Sequence, residues 1–185
     1  MALPIKNTTK NYGVVSIILH WLVALSVFSL FGLGFYMVDL DYYSTWYQTA
    51  PDLHKSIGIC LFAVMVLRAL WRNIQPTPEH LPSHSKLERR IGHITHISLY
   101  IIFFLICISG YLITTADGRG IEVFGLFTVP SLGEFIQNQE DIAGSIHEWL
   151  AYSIIALSGL HALGALKHHF IDKDATLKRM LGKTS

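Results

Sequence analysis

Charge is scarce in this sequence. Of its 185 residues only 14 are Lys or Arg and 13 Asp or Glu, together 15%, against 51% apolar, with a formal net charge of +1. So few charges exclude a disordered chain, and a mean hydropathy of +0.42 excludes an ordinary soluble domain of this size. No long basic run is present and the aromatic residues sit in apolar segments, so nothing favours nucleic acid. Cysteine is nearly absent: Cys60 and Cys107 both lie within apolar runs, which argues against a structural disulfide or a zinc site and for two buried free thiols. No internal repeat and no low-complexity tract break the chain, and its length suits one domain.

Long apolar runs are what the chain has in plenty. Four of them, near Val14–Val38, His54–Trp71, Ile94–Thr115 and Ile146–Leu166, approach or exceed the ~20 residues that cross a bilayer as a helix. The first is too long for a signal peptide and has no clear small-residue cleavage pattern, so it counts as a span. Between the second and third lies the polar linker "RNIQPTPEHLPSHSKLERR", whose prolines cannot continue a helix. The third and fourth are joined by "DGRGIEVFGLFTVPSLGEFIQNQED", which reads as irregular with room for a short surface helix. All Lys and Arg except Lys55 and Arg119 fall on the side of the termini and the polar linker. The positive-inside rule then places both termini in the cytoplasm. The expected fold is all-α, an integral membrane four-helix bundle, N-in and C-in, formed by residues 1–185 as a single domain.

Histidines stand inside these apolar runs. His147 and His161 are fourteen residues apart on the fourth helix, so ~21 Å apart along its axis and within ~40° of one direction. His54 opens the second helix at about the level of His147, and His20 lies in the first helix near the level of His161. Two levels of paired imidazoles within an apolar bundle suit haem b, a flat group whose iron takes one axial histidine from each side. With no C-x-x-C-H motif, such haems are non-covalent. A single buried histidine bonded to a backbone carbonyl would be unremarkable; two level pairs are harder to explain that way. At the outer level no other imidazole of the second or fourth helix competes. At the inner level His96, in "RRIGHITHISLY", lies about as deep as His20 and His161, so three rings compete for two ligand places and spacing alone leaves the choice open.

"LHWLVAL" in the first helix, "LHKSIGICLFAVMVLRALWR" followed by "PTPE" in the second, "GHITHISLY" in the third, and "HEWLAYSIIALSGLHALGALKHHF" with "KDATLKRM" at the end occur in an order that resembles the bacterial cytochrome b561 family, related to the cytochrome b subunits of nickel hydrogenases. The resemblance implies a bacterial inner-membrane protein holding two b haems stacked across the membrane, ligated by His20 with His161 and by His54 with His147. Against that background Arg68 has two readings, pairing an inner haem propionate or snorkelling to headgroups. Lys55 and Arg119 are the outer cations available to propionates or ordinary surface charges. His93 and His96 are candidates for an inner propionate or a proton relay to quinone, or for packing at the cytoplasmic face. His168 and His169 read as interfacial, while His80 and His84 fall in the linker with no constellation around them.

Two haems across a membrane make an electron wire, with membrane lipid around it and quinone as the expected acceptor. Proteins of this bacterial type resemble superoxide oxidases, which pass an electron from periplasmic superoxide to ubiquinone. The outer side, however, carries Asp39, Asp41, Asp52, Asp117, Glu122, Glu134, Glu140, Asp141 and Glu148 against two cations, a balance that repels an anion. The alternative is therefore a membrane anchor and electron-transfer subunit for a soluble dehydrogenase, hydrogenase or cytochrome partner, with a periplasmic redox protein as donor.

Overall fold

The computed structural model describes residues 4–183 and is mostly helical. Four long helices, α1 (Val14–Val38), α2 (Thr49–Ile74), α3 (Lys86–Thr114) and α4 (Gln139–Phe170), are each long and apolar enough to cross a membrane. A short helix α5 (Thr176–Met180) follows, and a two-stranded hairpin, β1 (Ile121–Val123) with β2 (Phe127–Val129), lies between α3 and α4. α1 has the bounds expected from its apolar run, whereas α2, α3 and α4 extend well past theirs at one or both ends. The extensions are polar: they carry Asp52, Glu88, Glu140, Asp141 and Lys167, side chains that belong at or beyond a membrane surface and so escape a reading based on hydropathy alone.

Local chemistry accounts for where the helices begin. The Ser85 hydroxyl accepts the Glu88 amide at 3.2 Å, and the Glu88 carboxylate accepts the Ser85 amide at 2.8 Å, a reciprocal capping box that starts α3 after the proline-rich linker. Pro51 sits in the first turn of α2, where its missing N–H leaves no bond unmade. α4 opens on Glu140 and Asp141 and closes on Lys167, His168 and His169, charges that complement the helix dipole at each end. Few residues of the four spans are buried, and large apolar side chains such as Leu25, Leu67, Ile101 and Leu160 are exposed. Cys60, expected to be buried, is exposed on this apolar surface; Cys107 is half-buried, and both are free thiols.

Contacts divide the chain into two compact units, and each long helix contributes a segment to both. The first comprises the residues up to Leu25, Val64–Leu99 and Ala156 onward. Here the N-terminal segment is laced to the linker: the Glu79 amide donates to the Thr9 carbonyl at 2.8 Å, and the Asn7 amide group donates to the Pro76 carbonyl at 3.1 Å. Trp71 donates to Ser16 Oγ at 3.0 Å and Trp21 to the Met180 carbonyl at 2.8 Å, so these two indoles are tied into the protein.

The second unit comprises Ser26–Ala63 and Tyr100–Ile155. In place of a surface helix, the segment after α3 forms the hairpin, paired in the register Ile121↔Val129 and Val123↔Phe127. Its turn places Phe124 at φ 50° and Gly125 at φ 70°, two successive left-handed residues that suit the twist of a hairpin. Ser56 Oγ accepts the Phe124 amide at 3.1 Å, and Ile121 and Val123 are buried, so the hairpin is pinned to the start of α2. Tyr111 Oη, which donates to the Pro130 carbonyl at 2.8 Å and accepts the Leu132 amide at 3.0 Å, holds the strand exit.

Replacing Ser85 by Ala removes one half of the capping box at a cost of about 1 kcal/mol. Backbone amides in the first turn of α3 should then exchange with solvent roughly fivefold faster while those in the middle of α3 keep their rates; equal rates in the first turn would show that the cap does not hold it.

Candidate functional site

Each unit brings two of the apolar-segment histidines together, ring edge toward ring. In the second unit His54, in the second turn of α2, meets His147 of α4 with ring centroids 6.2 Å apart and planes at 67°. In the first unit His20 of α1 meets His161 of α4, again at 6.2 Å and with planes at 65°. A metal–imidazole bond of about 2.0–2.1 Å, with the ring centre ~1.1 Å behind the nitrogen, sets two axial rings on one metal ~6.3 Å apart. Both separations match that requirement. His96 of α3 lies 5.1 Å from His161, closer than two rings sharing one metal axially would stand.

Around His54 and His147 the neighbouring helices supply glycine. A Cβ at Gly34 of α1 would come within 3.3 Å of His54 Cε1, and one at Gly110 of α3 within 3.1 Å of His147 Cε1. Both positions carry a signal in the sequence spacing. Gly34 lies fourteen residues after His20, Gly110 fourteen after His96, Arg68 fourteen after His54 and His161 fourteen after His147, so on every helix one direction serves both levels. At Gly58, Gly92 and Gly159, by contrast, an added Cβ would meet nothing within 4 Å.

Hydrogen bonds decide which nitrogen each ring can offer. His147 Nδ1 lies 3.0 Å from the Ile106 carbonyl and 3.1 Å from Ser109 Oγ, whose own hydrogen goes to that carbonyl at 2.9 Å. Nδ1 is therefore the protonated nitrogen, and the Nε2 lone pair is left for a metal. His54 Nδ1 is buried and has no hydrogen-bond partner among the described residues. His20 differs. Arg68 Nη2 lies 3.0 Å from its Nδ1, and because a guanidinium only donates, Nδ1 accepts and a neutral ring keeps its proton on Nε2.

The remaining candidates are dispersed. His93 is exposed on α3, and its side chain enters no hydrogen bond, ion pair or ring contact among the described residues. Lys55 and Arg119 both line a cavity of about 580 Å³ at the start of α2, together with Ser56, Asp117, Glu122 and Phe124. Neither is a free cation: Lys55 pairs with Asp52 at 2.7 Å and Arg119 Nε with Asp117 at 2.6 Å. The hydrogen bond and charge of Arg119 hold the Asp117 carboxyl below its ordinary value, and Asp117 in turn raises Arg119. A depressed carboxyl stays ionised from its ordinary range upward, so the pair is complete at neutral pH and is lost only as pH falls through the lowered value.

A family model described as prokaryotic cytochrome b561 matches residues 11–183. The chain is 54% identical to cytochrome b561 homolog 2 of Escherichia coli over 179 residues, covering 97% of this chain and 95% of that protein. It is 31% identical to the probable superoxide oxidase CybB of Yersinia pestis, with 94% and 97% covered, and 26% identical to cytochrome b561 homolog 1 of Escherichia coli, with 93% and 97% covered.

Substituting Gly110 by Leu drives side-chain atoms into the space of the His147 ring. If the His54–His147 pair holds a haem, purified Gly110→Leu should carry less haem b than the parent by pyridine haemochrome assay, since that pair is displaced. Haem content equal to the parent would show that His147 does not depend on the close approach of α3.

Proposed function

As a member of the prokaryotic cytochrome b561 family, the chain is a multi-pass protein of the bacterial inner membrane that carries electrons by haem b, and we propose that it holds two such haems, one on each imidazole pair. The observation that carries this reading is the repeated 6.2 Å separation of His20 from His161 and of His54 from His147. The shorter 5.1 Å between His96 and His161 favours His20 as the partner of His161. A haem b held by two imidazoles would supply a one-electron carrier rather than a site for binding oxygen.

The protein's own groups set the rest. The Ile106 carbonyl and Ser109 keep the His147 proton on Nδ1 and the ring turned toward His54. Ligation through His20 Nε2 would need the ring proton on Nδ1, and the Arg68 guanidinium beside it would then be a candidate to donate to a propionate carboxylate. His96, beside His161, and His93, exposed, are the inner-side candidates for a propionate contact or a proton relay to quinone. The distribution of Lys and Arg supports both termini in the cytoplasm and one transmembrane domain across residues 1–185. Electrons then pass between a periplasmic-side donor at the His54–His147 level and membrane quinone.

Two donors fit this frame. Superoxide is suggested by the relative named a probable superoxide oxidase. A second reading, a membrane anchor and electron-transfer subunit for a soluble redox partner, is favoured by the cavity rim, where Lys55 and Arg119 are each neutralised by an adjacent carboxylate and Glu122 adds a further negative charge. Such a rim attracts a basic protein better than an anion.

Haem content separates the ligands. Wild-type protein should contain two b haems per chain; His54→Ala or His147→Ala should lose one, His20→Ala or His161→Ala the other, distinguished by redox potential and spectrum. One haem per chain, or loss of the second haem in His96→Ala but not in His20→Ala, would refute the assignment.

Charge separates the donors. If superoxide reduces the protein, Lys55→Gln with Arg119→Gln should slow reduction several-fold at low salt, and the effect should fade above about 0.1 M, where the screening length is ~10 Å. If a basic protein is the donor, that pair of changes should leave the rate unchanged or raise it, whereas neutralising Glu140, Asp141 and Glu148 should slow it. Rates indifferent to both sets would exclude electrostatic capture of either donor.

A further inference from the structure

Away from both imidazole pairs, the first unit gathers a second set of metal-ligating side chains where the linker before α3 meets the turn after α4. His84 comes from the linker, His168 from the last turn of α4, and Asp172 and Asp174 from the residues that follow. His84 Nε2 lies 3.1 Å from Asp174 Oδ2, and His168 Nδ1 lies 3.4 Å from the same oxygen. His168 Nδ1 is also 2.7 Å from Asp172 Oδ2. The two imidazole rings lie 4.4 Å apart and are tilted by 38°. None of this is a loose surface cluster: the His84 and His168 side chains are 16% and 15% exposed and that of Asp174 8%.

Hydrogen bonding leaves this arrangement incomplete. Ser83 Oγ donates to Asp174 Oδ2 at 2.9 Å, and His84 Nε2 lies within reach of Asp174 Oδ2 at 3.1 Å and of Thr176 Oγ1 at 3.0 Å. His168 Nδ1 is buried and, although close to both carboxylates, makes no well-aligned hydrogen bond among the described residues. A cation at the shared point would satisfy it, with both rings turning lone pairs rather than protons toward the metal. Geometry agrees. In a tetrahedral site with bonds of about 2.0–2.1 Å, neighbouring ligand atoms stand ~3.3 Å apart, and the separations of 3.1 and 3.4 Å lie on either side of that edge. The donor atoms of His84, His168 and Asp174 all lie within 4.8 Å of one another.

We propose that His84, His168 and Asp174 form a binding site for a divalent transition metal of the zinc class, separate from the haem sites. Two imidazoles and a carboxylate are a borderline donor set that suits Zn²⁺ and disfavours Mg²⁺ or Ca²⁺, which want oxygen. Asp172 is the fourth side chain in reach of His168; Lys167, bonded to both Asp172 at 2.7 Å and Glu88 at 2.6 Å, competes with the metal for it. The bound ion would clamp the linker to the segment after α4, cross-linking residues 90 positions apart in sequence.

The test uses haem-loaded protein in detergent, stripped with EDTA and dialysed against Zn²⁺, with zinc counted by mass spectrometry and its ligands by X-ray absorption at the zinc edge. One zinc per chain, with two imidazoles in its coordination sphere at ~2.0–2.1 Å, is expected. His84→Gln, His168→Gln and Asp174→Asn should each weaken retention about tenfold or more, while His80→Gln, an exposed histidine of the same linker, should leave it unchanged. The haem spectrum of each variant reports that it has folded. No zinc retained by the wild type, a coordination sphere without two imidazoles, or equal retention in the His84 and His168 variants would overturn the site.

Discussion

An imidazole carried on a helix that faces hydrocarbon must be satisfied within the protein, because lipid offers it neither a donor nor an acceptor. Four such rings organise the apolar part of this chain. His54 and His147 meet in one unit, His20 and His161 in the other, at the same 6.2 Å. Everything near them reads as a consequence: glycine at 34 and 110 lets helices close on the rings of the first pair, and Arg68 and His96 occupy the corresponding places beside the second. A repeat of fourteen residues, close to four helical turns, lets each helix serve both levels from one face.

The two pairs are chemically unequal. His147 has its tautomer set by the Ile106 carbonyl and Ser109, so its side of the first pair is ready for a metal as it stands. His20 is held in the opposite tautomer by a guanidinium that can only donate. Were His20 to hold a haem through Nε2, its ring proton would have to move to Nδ1 and the Arg68 contact there would have to change. Charge near the second pair and hydrogen-bonded carbonyl near the first also act oppositely on a ring's basicity, so the two sites would hold electrons with different affinities.

Charge acts differently at the cavity near the start of α2. Lys55 and Arg119 drew attention as the two cations on an acidic side, yet each is bound by a carboxylate three or two residues away in sequence. Local pairs of this kind screen a cation from a diffusing anion while leaving the wider acidic field in place. The hairpin of β1 and β2 shapes the same cavity through Glu122, Phe124 and Gly125, so the part of the chain whose sequence said least about its structure contributes to the surface a donor would meet.

Much was legible from composition and spacing: four spans, the side on which the cations gather, and histidines at two levels all follow from hydropathy and the 3.6-residue turn, which act locally. The motifs, from "LHWLVAL" to "KDATLKRM", pointed to the family that the comparisons establish. What the sequence left open depended on contacts between distant segments. The choice between His20 and His96 as neighbour of His161 rests on how far apart rings on different helices stand. The exposure of Cys60, the polar extensions of α2, α3 and α4, and the hairpin depend on which faces meet and where hydrogen bonds close. His84 and His168 looked unrelated in a chain where 84 positions separate them; only folding of the linker onto the end of α4 brings their rings to 4.4 Å, because side-chain proximity is a property of tertiary packing and has no local signature.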